Sequence, residues 1–427
     1  MSYFSQFLGL PRQVYILCLV RWISGMGSLV FTFSSLILTG MVGLTTKQAG
    51  IVAMLYATAN VVGAIVGGKM ADFYGRKKIY LWFTVVTCCF YVLGSFYCTT
   101  IWIVPISICA FFFGSGCYPI VSAMVADSAK GPKSAECFSL LYLSHNLGFA
   151  VGPALGGALL ADHLPWVYRI QAGMFLFAAL ILYICTIEVY KVPTKEERMA
   201  LRLRKKADHF AAAEPESTLH ESTLHESTLK MLLQTKILLI FIVTLAIATT
   251  LYCGIGFILP LQFKDAFGLA AGGTYGGRIW TVNALMVVFA TPVIMRYTKT
   301  HHQFNCMALG CLLYAVGFGA YGYIKALPLY FIAVVVWSIG EILISTGAGV
   351  FIAEHSPASH VARFQSQYDM ARSIGRGVGP FIFGELLTYL SYRQTWTIDA
   401  VCCIVIAAYC WFIFKGEMAK KARGESV

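Results

Sequence analysis

Charged residues are scarce in this chain of 427 residues: Asp, Glu, Lys and Arg make up only 12% of it. Soluble globular proteins carry about a quarter charged residues, so this composition excludes a soluble protein with one or two cores. The apolar–polar alternation of transmembrane β-strands is missing too, which excludes a membrane β-barrel. Hydrophobic residues make up 58% and lie in runs of about 20 or more. As helices, such runs cross about 30 Å of hydrocarbon.

Other functional classes lack their signatures. The net charge is +12, but Lys and Arg are spread between the apolar runs, so no nucleic-acid partner is predicted. None of the fourteen cysteines has zinc-ligand spacing, and most lie in apolar runs, so we predict no metal site, disulfide or cofactor. Residues 63–69 have P-loop glycine spacing, but Met70 replaces the required Ser or Thr. Neither ATP-driven pumping nor enzymatic activity is therefore predicted.

The apolar runs predict an all-α membrane protein with about twelve spans. The spans are expected near residues 14–40, 48–71, 79–98, 101–126, 137–160, 167–190, 236–262, 277–296, 304–324, 328–353, 365–390 and 395–415. Lys and Arg concentrate in the even-numbered connections, for example at Arg76–Lys78, Lys133 and Arg296. This bias predicts a multi-pass protein of the cell membrane with both termini in the cytoplasm. We expect a monomer surrounded by lipid bilayer.

An internal repeat divides the chain into two halves. A shift of 227 positions aligns the stretch from Val125 with the stretch from Ile352 without a gap, and Asp127 then meets Glu354. Such repeats are typical of secondary transporters. We predict a six-helix half over 1–190, a cytoplasmic linker with ESTLH repeats over 191–235, and a second six-helix half with a basic tail over 236–427.

The connection after the second span carries the motif G-x-x-x-D-x-x-G-R-K-K. Its residues are Gly68, Asp72, Gly75, Arg76, Lys77 and Lys78. With the two-half architecture, this motif resembles the signature of the major facilitator superfamily. The resemblance implies a gating role: Gly68 permits close helix approach, Gly75 turns the chain, and Asp72 pairs with cations or with the positive end of the eleventh helix. It also places Asp127 near Arg76. The alternative interpretation is that the basic residues only anchor the loop.

A second motif lies in the fifth span. Its residues are Gly148, Gly152, Pro153, Gly156 and Gly157. It resembles the motif of the drug:proton antiporter branch of the same superfamily. Small residues at this spacing let helices touch backbone to backbone, and proline permits a bend. Ordinary small-residue packing is the alternative.

Several charges fall inside predicted spans, where they cost several kcal/mol and are functional candidates. Glu341 lies mid-span and is predicted to carry the coupled proton, with Arg21 as its counter-charge and Asp369 as a second candidate. Arg372 and Arg376 continue the stripe of Asp369 and could be substrate or charge ligands. Two further acidic residues, Glu385 and Asp399, are expected at the interface.

The resemblance implies export of amphipathic organic compounds against protons by alternating access. One departure affects the coupling: Ala110 stands where drug:proton antiporters carry an arginine four residues before a glycine, here Gly114. Two alternatives stay open. One is a facilitator or symporter for a metabolite such as a sugar or organic anion, and the other is a lipid flippase.

Overall fold

The computed structural model describes residues 6–129, 133–190, 197, 235–356 and 361–423, and these residues form helices and connections without a strand. Twelve main helices follow one another: α1 Arg12–Met26, α2 Thr46–Tyr74, α3 Arg76–Tyr97, α4 Ile103–Ser128, α5 Ser134–Leu159, α6 Leu164–Cys185, α7 Lys236–Phe267, α8 Leu269–Thr298, α9 Gln303–Tyr321, α10 Leu327–Thr346, α11 Val361–Tyr389 and α12 Tyr392–Ala422. The short helices Leu29–Thr32 and Ser34–Leu36 and the π-helix Ile37–Met41 continue α1, and Ala348–His355 continues α10. The ESTLH repeats, predicted to form a linker, lie outside the described residues.

The predicted all-α membrane fold is confirmed. Within the described residues, nine helices are long and apolar enough to cross a membrane: α2, α3, α4, α6, α7, α8, α9, α10 with its continuation, and α12. The other three spans are less regular or more polar. The first is interrupted after α1 at Gly27, whereas α5 and α11 carry polar residues such as His145 and Arg376 in mid-helix.

Two seams join the half formed by α1–α6 to the half formed by α7–α12: α2 packs along α11, and α5 along α8. Glycines bring the backbones together there. A Cβ at Gly50 would lie 2.6 Å from the carbonyl oxygen of Pro380, and one at Gly157 would lie 2.1 Å from that of Gly273. Because atoms cannot approach so closely, these positions require glycine wherever the seams are closed.

The bundle has two distinguishable ends. We call the end at which Gly75 joins α2 to α3 the basic end, and the end with Thr45 the opposite end. At the opposite end Lys47 of α2 pairs with Glu385 of α11 across the halves at 3.1 Å. Nearer mid-span, the Thr281 hydroxyl of α8 donates to the carbonyl of Ala150 in α5 at 2.6 Å. Cross-half contacts thus extend from mid-span to the opposite end.

Asp399 and Gly68 lie in surroundings that the sequence did not reveal. Only 1% of Asp399 is exposed, and neither carboxylate oxygen has a hydrogen-bond partner among the described residues. Its depth along α12 was predictable, but the side of the helix that packs inward was not. A Cβ added at Gly68 would meet no described atom within 4 Å in this conformation, whereas one at Gly67 would lie 2.5 Å from Gly116 of α4. The close approach therefore occurs one residue earlier.

Candidate functional site

The motif at the basic end is tied into the first half. Gly75 has φ +98°, a left-handed conformation that favours glycine and turns the chain sharply between α2 and α3. The turn directs Arg76 toward α4, where its guanidinium forms an ion pair with Asp127. The Tyr190 ring lies 4.6 Å from the same guanidinium. The predicted proximity of Arg76 and Asp127 is therefore present in this conformation.

Lys77 and Asp72 occupy different environments. The backbone N–H of Lys77 donates to Glu188 at 2.7 Å, and its ammonium donates to the carbonyl of Thr186 at 2.7 Å, just beyond α6. The Asp72 side chain is 62% exposed, and its carboxylate is 4.0 Å from Arg76. Asp72 is thus only loosely held here, while the residues around it are firmly anchored.

The glycine motif of α5 packs on two helices at once. Gly148 and Gly152 face α1, where added Cβ atoms would lie 2.1 Å from the Trp22 carbonyl and 2.3 Å from the Met26 carbonyl. Gly156 lies against Leu29 and Phe33, in the continuation of α1. On another side of the helix, Pro153 and Gly157 contact Gly277 and Gly273 of α8. The motif therefore joins α5 both to its own half and to the other half.

Glu341 lies in α10, in the middle of the tenth span, on the side of the second half that faces the first half. Its carboxylate accepts a hydrogen bond of 2.7 Å from the Asn283 side chain of α8. The same amide group lies 3.0 Å from the Ser338 hydroxyl, and Tyr252 of α7 faces the carboxylate. Three helices thus orient one carboxyl group that is partly exposed.

The cations nearest to Glu341 come from α11. Arg372 and Arg376 both interact with it electrostatically, and both also act on Asp369, which lies one turn from Arg372 and two turns from Arg376 on the same helix. The Arg372 guanidinium donates to the Tyr368 hydroxyl at 3.3 Å. Arg376 sits at the centre of α11 and yet is exposed. A charged side chain that is deep in the bundle and still exposed indicates a water-accessible cavity between the halves.

Arg21 lies on the wall of the first half. Its guanidinium is 3.5 Å from the Ser122 hydroxyl and 4.5 Å from the centre of the Tyr118 ring, both in α4. Among the described residues, no carboxylate lies within ion-pair distance of it. The predicted counter-charge role for Arg21 is therefore filled in this conformation by the two arginines of α11, because α1 and α10 stand on opposite walls.

One face of α5 connects the two walls. Tyr142 interacts with Glu341 and Arg372, and His145, one turn later, interacts with both Arg21 and Arg376. A turn further, the Phe149 ring lies 5.7 Å from the Trp280 ring of α8. Sequence reasoning missed this face and also Asn283 and Tyr252, because a polar residue within an apolar run does not reveal which neighbour it faces.

The cavity opens toward the basic end. The seams α2–α11 and α5–α8 are packed from mid-span to the opposite end. Arg376 and Asp369 are both exposed, and within the described residues no such seam closes the way to them from the basic end. The arrangement holds two carboxyl groups, three arginines and several aromatic rings in the middle of the bundle, which suits the binding of an organic solute and of a proton.

The sequence matches the family model for the Major Facilitator Superfamily over residues 17–380 and again over 281–426. One similar protein is a multi-drug resistance efflux pump PmrA homolog of Lactococcus lactis subsp. lactis (strain IL1403), 23% identical over 417 residues that cover 92% of this chain and 93% of the relative. Another is a Na(+), Li(+), K(+)/H(+) antiporter of Planococcus maritimus, 20% identical over 350 residues that cover 78% of this chain and 80% of the relative.

The fold also resembles solved structures. A crystal structure of the peptide transporter POT in complex with sulfate superposes with a TM-score of 0.73, covering 96% of this chain and 95% of that chain. The two sequences are 15% identical, so the likeness concerns the fold alone.

Proposed function

Because the chain belongs to the major facilitator superfamily, we propose that this multi-pass membrane transporter exports amphipathic organic compounds in exchange for protons. The observation that carries the proposal is the Glu341 carboxyl, which lies at mid-membrane depth on a water-accessible wall. Its hydrogen bond from Asn283 holds it toward the cavity. The names of the two relatives, an efflux pump and a cation/H(+) antiporter, support both the direction and the coupling ion.

Glu341 is suited to both charge states. An ionised carboxylate inside a membrane costs several kcal/mol unless it is compensated, and here Arg372 and Arg376 supply the compensation. When a proton binds, the attraction between α10 and α11 weakens. Protonation can therefore change how α10 packs against α11, and both helices line the cavity. Coupling requires such a link between the bound proton and the conformation of the protein.

Alternating access would use the two ends in turn. In the present conformation the cavity faces the basic end, which the Lys and Arg distribution predicts to be cytoplasmic. To expose the cavity to the other side, the glycine seams at the opposite end must open and the basic end must close. Asp72, exposed here, would then acquire a partner, which assigns it the role of a latch for the other conformation.

A second candidate, symport of an organic anion with a proton, is favoured by the excess of arginine over carboxylate in the cavity. The sign of proton movement separates the two. Adding substrate to purified protein in weak buffer should release protons if proton and substrate alternate, and take up protons if they bind together. Transport into proteoliposomes under an imposed pH gradient, with a panel of organic cations, neutral compounds and anions, tests export directly. If accumulation of every compound in the panel is the same with and without the pH gradient, proton coupling is refuted.

We expect Asp72→Asn to slow transport by about tenfold or more, because a charge at a helix terminus contributes about 1–2 kcal/mol to one conformation. Stability should change little, since Asp72 is mostly exposed here. The measurements are transport in proteoliposomes and thermal unfolding of the purified protein. Asp162→Asn, an exposed acid in the loop between α5 and α6, is the matched control. Wild-type rates in correctly inserted Asp72→Asn protein would contradict the latch role.

The ESTLH repeats, which lie outside the described residues, should be dispensable. A solvated linker tolerates shortening because no packed surface is removed. We expect deletion of residues 216–229 to leave membrane insertion and transport near wild-type levels, measured side by side in the same vesicles. A shortened protein that inserts normally but no longer transports would show that the repeats have a role.

A further inference from the structure

We propose that Arg21 recognises an acidic group of the transported compound, so that the preferred substrates carry one oxyanion, such as a carboxylate, on an aromatic body. This inference rests on the proposed transport function and adds the substrate class. A guanidinium has five N–H donors. Arg21 makes a long hydrogen bond of 3.5 Å to Ser122 and lies on the face of the Tyr118 ring. The neutral side chains of Tyr80 and Cys117, both within the described residues, lie beside it, and neither forms a hydrogen bond with it. Most of its donor capacity therefore remains available to a ligand.

The other cations of the transport machinery differ from Arg21 in this respect. Arg76 forms an ion pair with Asp127, and the two arginines of α11 face Glu341 and Asp369. Three arginines and two carboxylates line the cavity, so one positive charge is left without a counterpart. Position assigns that charge to Arg21, because both carboxylates lie on the wall of the second half.

The surroundings of Arg21 also suit a ligand. The ring of His145 lies 5.8 Å from the Tyr118 ring, and its buried Nδ1 has no hydrogen-bond partner among the described residues. Arg21 and Arg376 both act on this histidine. An oxyanion placed between Arg21 and His145 would satisfy donors from two helices and reduce the repulsion between the cations on the two walls.

Aromatic rings supply the remaining contact surface. Phe149 of α5 and Trp280 of α8 meet edge to face across the halves, and the Tyr252 ring lies 6.2 Å from Trp280. The Phe149 ring lies 6.3 Å from the ring of His145. Tyr252 faces Glu341, so these rings lie between that carboxylate and Arg21. A ligand with a flat apolar body can pack against them while its acidic group reaches Arg21.

Arg21 and Glu341 belong to different halves, so the acidic group of the substrate and the coupled proton bind at separate residues. An acid bound at Arg21 leaves Glu341 its own partners on α11. Their coupling then passes through the rearrangement of the halves, and direct competition for one counter-charge is not needed.

The test uses matched probes and the purified full-length protein. Binding of 1-naphthaleneacetate and of its uncharged amide is measured by quenching of tryptophan fluorescence. Wild-type protein should bind the carboxylate about tenfold more tightly than the amide or better. Arg21→Gln should lose this preference while its affinity for the amide stays unchanged, and Arg21→Lys should keep part of it. Arg278→Gln, which replaces an exposed arginine of α8, should behave like wild type.

Each outcome decides the question. If wild-type protein binds acid and amide equally, or if Arg21→Gln keeps the preference, the inference is overturned. Gel filtration shows whether Arg21→Gln is folded, and if it is not, the loss of preference is judged on Arg21→Lys. Proton coupling is measured separately, as the response of transport to a pH gradient. Loss of the gradient response with an intact carboxylate preference would refute the proposed function alone. A gradient response without that preference would refute this inference alone.

Discussion

Glu341→Gln should abolish transport driven by a pH gradient while substrate binding and exchange between two pools persist. Glutamine preserves the shape of the side chain and can still accept the hydrogen bond from Asn283, but it cannot gain or lose a proton. For one-for-one exchange of a neutral compound, a gradient of one pH unit supports about tenfold accumulation. We expect the variant to show none, because the charge state of α10 no longer follows the pH on either side.

The measurement compares gradient-driven accumulation with counterflow in the same proteoliposomes. Counterflow needs only binding and the conformational change, so it reports on folding and access independently of coupling. Asp162→Asn serves again as a control, since it removes an acid outside the cavity. Full gradient-driven transport by Glu341→Gln would exclude Glu341 as the coupling site and leave Asp369 as the next candidate.

Gly157→Leu should slow transport strongly by preventing closure of the opposite end. Even a Cβ at this position would lie 2.1 Å from the carbonyl oxygen of Gly273, so a leucine separates α5 from α8. Overpacking of this kind costs about 1–3 kcal/mol and occasionally more, which disfavours the present conformation about tenfold or more. The variant is expected to remain with its cavity open at the opposite end and to transport at least about tenfold more slowly.

Labelling of Cys253 reports this shift. Cys253 is a partly exposed free cysteine of α7 that interacts with Arg372 and Arg376, so its accessibility to a reagent depends on which end of the cavity is open. A membrane-impermeant thiol reagent should modify wild-type protein from the basic end and Gly157→Leu from the opposite end, as read by mass spectrometry of the labelled peptide. Gly173→Leu is the matched control, because a Cβ at Gly173 meets nothing within 4 Å. Equal transport by Gly157→Leu and wild type would show that the seam does not need to close.

Several elements of the site could be predicted because they depend on neighbours along the chain. Gly75 turns the chain, and the turn determines that Arg76 points back toward the basic end of α4, where Asp127 lies. The glycines of α5 were identified as contact positions by their spacing on one helix. Both inferences needed only the backbone geometry of a single segment and the family resemblance.

The partners of the buried charges could not be predicted in this way. A position along a span states how deep a residue lies, but not which side of its helix faces a cavity, a neighbour or lipid. Thus Asp399 and Glu341 both lie within predicted spans, yet Asp399 is buried while Glu341 is partly exposed, and the sequence does not link Asn283 to Glu341. The separation of Arg21 from any described carboxylate is likewise a property of the assembled walls.

The order of residues was enough to establish an all-α membrane protein with about twelve spans, and it also predicts two related halves. These properties follow from the length and order of apolar runs, because each run must satisfy its own backbone hydrogen bonds in lipid. The rotation of each helix, the two glycine seams and the separation of Arg21 from Glu341 on opposite walls become visible in the packed bundle alone. Helix rotation depends on side chains that are far apart in sequence and must fit together at the same time, and the order of residues in one span does not contain that information.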